Sequence, residues 1–136
     1  MKRPLLLATA LLLSGCPEDP CVEDLDLACT PLSQDVSWSN VYTLVLADNC
    51  STGGASCHAA EGAQGGLVLD DPDVAYEQLV EPESGTARVL AGDPSCSMLV
   101  RRLELEDGAE AMPPGAQLSE AQRCMVRLWI DGGAQR

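Results

Sequence analysis

The 136-residue chain has no phenylalanine, one histidine and only four aromatic residues, Trp38, Tyr42, Tyr76 and Trp129. Its core must therefore be built from Leu, Val and Ala, and so lean a core calls for covalent staples or a bound cofactor. Basic residues are equally scarce: eight Lys/Arg stand against 21 Asp/Glu, a formal net charge of −13. With no Lys/Arg cluster, nucleic acid is excluded as a partner, because neutralising phosphates supplies most of that affinity. The same balance disfavours docking on anionic lipid by charge. The chain also lacks a Gly-x-Ser-x-Gly elbow, a phosphate-binding glycine loop and a His-Glu-x-x-His motif, so hydrolase chemistry is unsupported.

Long apolar runs are missing too, except at the start. Lys2 and Arg3 precede an apolar stretch over residues 5–13, closed by Leu13-Ser14-Gly15-Cys16. This reads as a signal peptide over residues 1–15, too short for a permanent span. Its last four residues resemble a bacterial lipobox, which makes Cys16 the acylated first residue of the mature protein. The expected location is the cell envelope, tethered to a lipid bilayer and facing the periplasm or cell surface. Export permits disulfides. The six remaining cysteines are Cys21, Cys29, Cys50, Cys57, Cys96 and Cys124.

Residues 16–37 are acidic and proline-containing with no helical period, as expected of a solvated tether, within which Cys21 and Cys29 can close a small loop. The domain is expected over residues 38–136. Ser39 or Asn40 can cap a first helix with Val41, Leu44 and Val45 inward. Asp71-Pro72 starts a second, and Asp93-Pro94 repeats the device for a third, which carries Cys96, Leu99, Val100 and Leu103 on one face. Ser119 and Gln122 form a capping box for a last helix with Ala121, Cys124, Met125, Leu128 and Trp129 as its stripe, stopped by Gly132-Gly133. The fold class is all-α, a small bundle of about four short helices stapled by disulfides. Cys96 and Cys124, each on an apolar helix face, are expected to pair. Glu104, Glu106, Asp107 and Glu110 read as a solvated acidic turn.

One dense cluster remains, Cys50…Cys57-His58. Its end looks like the c-type haem attachment motif, in which two cysteines form thioethers to the haem vinyl groups and the adjacent histidine binds iron. The usual motif places two residues between the cysteines, whereas six lie between these. Other readings of the cluster are a Cys50–Cys57 disulfide and a zinc site completed by a carboxylate.

The order of features favours haem. A leading helix, the Cys-His site, a Gly-Gly-Leu element over residues 65–69, a Met112-Pro113-Pro114 turn and a Trp-Ile-Asp-Gly-Gly-Ala ending follow one another. Over residues 39–134 this is similar to the planctomycete-type cytochrome c domain. The resemblance implies a cytochrome c-like bundle with His58 and Met112 as haem-iron ligands and Cys50 and Cys57 as attachment residues for haem c. It also implies a single-electron carrier, and the acidic surface then suits a redox partner with a basic surface. The rival is a haem-free, cytochrome-like lipoprotein acting as a structural or interaction module, stapled by Cys21–Cys29, Cys50–Cys57 and Cys96–Cys124.

Overall fold

The computed structural model describes residues 21–54, 57–83 and 85–136. The signal peptide and Cys16 lie outside these residues. Four helices, one short 3-10 turn at Gln64–Gly66 and no strand occur among them.

Helix α1 covers residues 38–50 and is composite: an α turn at Trp38–Val41, a π segment at Tyr42–Ala47 and an α turn at Asp48–Cys50. Ser37, not Ser39 or Asn40, precedes it. Asn40 instead donates to the backbone oxygen and Oδ2 of Asp35, each at 3.0 Å. The π segment also changes which face is apolar. Bonding from i to i+5 replaces the expected i, i+3, i+4 stripe, so Val41, Val45 and Leu46 are fully buried while Leu44 is exposed.

Helix α2, Pro72–Val80, starts where expected, with the Asp71 side chain accepting from the backbone N–H groups of Asp73 and Val74 at 2.9 and 3.0 Å. Helix α3, Met98–Glu104, starts later than Asp93-Pro94 implied. Asp93 Oδ1 accepts from Ser95 Oγ at 2.8 Å and from the Cys96 amide at 3.1 Å, and the buried Ser97 hydroxyl donates to the Asp93 carbonyl at 2.8 Å. These side chains hold a separate turn, so Cys96 precedes the helix and Leu99, Val100 and Leu103 form its buried face. Helix α4, Glu120–Asp131, has the capping box of Ser119 and Gln122 and ends at Gly132. Cys124, Met125, Val126, Trp129 and Ile130 are its buried apolar residues.

All four aromatics meet. Trp38 lies 5.1 Å from Trp129, 5.3 Å from Tyr76 and 5.7 Å from Tyr42, joining α1, α2 and α4 in one cluster. Tyr76 Oη donates to the Ala134 carbonyl at 2.9 Å and Trp129 Nε1 to that of Gln135 at 2.8 Å, which ties the C-terminal tail to the same cluster.

The disulfide pairing differs from the expected one. Cys21 bonds to Cys96 and Cys29 to Cys124. Neither the local Cys21–Cys29 loop nor the Cys96–Cys124 bridge forms, because Cys96 sits in the turn before α3 and not on a face opposed to α4. The acidic segment over residues 21–37 is consequently fastened along the domain. Val22, Leu25 and Val36 pack against the core, and the Val22 and Leu32 amides donate to the carbonyls of Ser95 and Ala121. Linking positions 75 and 95 residues apart, each bridge stabilises by roughly 4–5 kcal/mol in the chain-entropy account.

Glu104 also departs from the solvated reading. It is largely buried between Arg123, whose Nη1 lies 2.9 Å from Oε2, and Arg127, whose Nε lies 3.1 Å from Oε1 without the alignment of a hydrogen bond. Arg127 is only 3% exposed, pairs as well with Glu120, and donates from Nη1 to the Asp26 carbonyl at 2.9 Å. One guanidinium thus joins α3, α4 and the N-terminal segment. Burial raises the Glu104 pKa, against the opposing pull of Arg127 and Arg123.

Arg127→Ala leaves Glu104 half-paired in a dry site and should cost about 3–5 kcal/mol in urea unfolding with both disulfides intact. Because the folded Glu104 pKa lies above its unfolded value, its contribution to stability is greatest at low pH. It is lost as pH rises from the ordinary glutamate range through the raised folded value. Glu104→Gln should lack that decline, seen as a flatter stability difference across the same window.

Candidate functional site

Cys50, Cys57 and His58, together with Met112 from 54 positions further along the chain, line one cavity of about 710 Å³. This is within the roughly 300–1,000 Å³ typical of small-molecule and cofactor pockets. Its apolar wall comes from Leu67, Leu69, Leu79, Leu99 and Leu103, drawn from the Gly-Gly-Leu element, α2 and α3.

The last turn of α1 supplies Cys50. The chain then loops back so that the His58 amide donates to the Cys50 carbonyl at 3.1 Å and the Leu69 amide to the His58 carbonyl at 2.6 Å. Left-handed backbone at Ala63, Gly65 and Gly66 makes the reversal that brings Leu67 and Leu69 inward. His58 Nδ1 lies 3.3 Å from the Leu67 carbonyl, which can only accept, so the tautomer that makes this hydrogen bond has its hydrogen on Nδ1 and its lone pair on Nε2. That tautomer is the one a metal-binding imidazole needs. Met112 is partly buried, and its amide donates to the Arg102 carbonyl at 2.9 Å, fastening the Met-Pro-Pro turn to α3.

Cys50 and Cys57 are both free thiols of intermediate burial. The third bridge of the haem-free reading is therefore not formed. Burial, with a smaller contribution from Cys57, pushes the Cys50 pKa up to about 11, so this thiol is protonated at neutral pH. No group of three or more His, Cys, Asp or Glu residues suited to holding a metal occurs among the described residues. Within the six-residue spacing, Gly53 faces Cys57. A Cβ on Gly53 would lie 2.1 Å from Cys57 Sγ and 3.0 Å from its Cβ.

Further wall residues, Arg88, Arg102 and Met98 among them, were not singled out as site residues from sequence. Arg88 donates from Nη1 to the Gln78 carbonyl and from Nη2 to the Gly65 carbonyl, each at 3.0 Å. Arg102 and the exposed Met98 also border the cavity. The signal for Arg88 was scarcity, since only six basic residues follow position 15 and all are arginine.

The cavity fits haem by its donor chemistry: an imidazole held in the metal-binding tautomer, a thioether, two free thiols and an apolar wall. Residues 55–115 match the family model for planctomycete cytochrome C. Over this stretch the chain is similar to that family. The match includes Cys57, His58, the Gly-Gly-Leu element and Met112, and lies inside the 39–134 range of the resemblance. No curated protein and no solved structure matches the chain.

Gly53→Ala should drive the Cys57 side chain from its place, raising its alkylation rate by iodoacetamide while Cys50 stays slow. Peptide mass spectrometry of the two sites in the haem-free protein checks this.

Proposed function

We propose that this protein is a membrane-anchored, monohaem c-type cytochrome that carries single electrons between exported redox partners and turns over no substrate. The observation that carries the reading is the His58 hydrogen bond to Leu67 within an apolar cavity that also holds Cys50, Cys57 and Met112. His58 and Met112 are the residues that would hold haem iron, and Cys50 and Cys57 those that would attach the macrocycle by thioethers. When bound, haem supplies one-electron redox chemistry, and a thioether ligand raises its potential. The protein's part is to orient His58 through Leu67, to fasten Met112 through Arg102, and to limit water with the leucine wall.

Cys16 serves as the lipid anchor in this reading, supported by the apolar run and the Leu-Ser-Gly-Cys closure. The net charge of −13 favours a partner with a basic surface and an association rate that falls with salt.

The test is a reduced-minus-oxidised absorption spectrum of protein produced with cytochrome c maturation machinery, followed by haem staining after denaturing electrophoresis. A sharp alpha band and retained stain are expected. His58→Ala should lose the band, and Met112→Ala should keep the stain but lower the reduction potential. A colourless product under these conditions would overturn the carrier reading.

A further inference from the structure

The disulfide pairing changes what the N-terminal segment does. Had residues 16–37 formed a free tether, its 22 residues would span about 75 Å fully extended and about 25 Å on average, leaving the domain free to turn. The Cys21–Cys96 bond removes nearly all of that length. Only four residues lie between Cys16 and Cys21, five steps of chain with a reach of at most about 18 Å. A folded domain of this size has a radius of gyration near 13 Å and hence a diameter of about 35 Å. The remaining chain is about half that diameter, too short to pass around the domain.

The first fixed point therefore decides which side faces the anchor. Cys21 lies in a groove of about 340 Å³ with Val22, Arg101, Arg102, Glu104, Leu105 and Glu110. Leu105 is 41% exposed there. Arg102 belongs to this groove and to the cavity wall alike, so the two adjoin.

We infer that the Cys21–Cys96 bond makes the N-terminal segment a short leash. The leash holds the domain against the membrane bearing its own lipid, with the Cys21 groove turned to the headgroups and the cavity beside it. This rests on acylation of Cys16, the anchor reading given above. The surface is thus a lipid-facing one, set by covalent reach and not by electrostatic attraction, which the net charge of −13 opposes. Exchange through the cavity then takes place in the plane of that membrane.

Neutron reflectometry of the full lipoprotein on a supported phosphatidylcholine bilayer reads the separation between the protein layer and the headgroups. Mass spectrometry of the N-terminal peptide reports whether Cys16 is acylated. The protein layer should begin within about 18 Å of the headgroups. Inserting eight Gly/Ser residues after Pro17 lengthens the leash without touching either disulfide, and should move the layer outward and broaden it. Cys21→Ser/Cys96→Ser should do the same, whereas Cys29→Ser/Cys124→Ser should leave the separation unchanged, since Cys21 still sets the reach. An acylated protein whose layer stands farther off, or whose insertion variant gives the same profile, overturns the leash. An unacylated Cys16 overturns the anchor reading instead, and the mass distinguishes the two failures.

Discussion

Two covalent bonds, Cys21–Cys96 and Cys29–Cys124, close the chain over nearly its whole described length. They matter because the apolar core is short of large side chains. With no phenylalanine, the core relies on one aromatic cluster around Trp38 and on small aliphatic contacts, while an apolar cavity occupies space between α2 and α3 that a denser core would fill. Leucines that line a cavity make fewer dispersion contacts within the protein than leucines packed on all sides. Cross-links that restrict the unfolded chain offset that loss without filling the cavity. The Arg127 cluster works alongside them, fixing the pinned segment to α3 and α4 through polar contacts.

The cavity is organised by backbone more than by side-chain contacts. His58 is oriented by the carbonyl of the residue directly after the Gly-Gly turn, Met112 is fastened by its own amide, and Arg88 reaches the carbonyls of Gln78 and Gly65. Such contacts tolerate changes of neighbouring side chains while preserving geometry. Within the six-residue spacing between the cysteines, Gly53 lies against Cys57, and the return of the chain is secured by the His58 amide.

Much of the architecture was legible in local signals. The Asp71-Pro72 start and the Ser119–Gln122 box act within one turn and were read correctly. The same logic misplaced the start of α3, because Asp93 and Ser97 capture the backbone in a turn that propensity does not distinguish from a helical start. Disulfide connectivity was illegible, since it depends on where the acidic segment lies against the domain. Glu104 looked like its exposed neighbours and is not, because its partners Arg123 and Arg127 come from a distant helix. The candidate site was legible from Cys57-His58 and the Met-Pro-Pro turn, whereas Arg88 and Gly53 acquire meaning only through contacts made in three dimensions.

The π segment at Tyr42–Ala47 ends directly before the residues that carry Asn49 and Cys50 to the cavity. In a regular helix each residue advances the face by about 100°. An expanded turn amounts to slipping one position into the register, so everything after it points elsewhere than the first turn foretells. Trp38 and Val41 can thus face the aromatic cluster while Cys50, on the same continuous rod, faces the cavity. The irregular turn serves as an angular coupling between two environments, and it lets a single short helix belong to both.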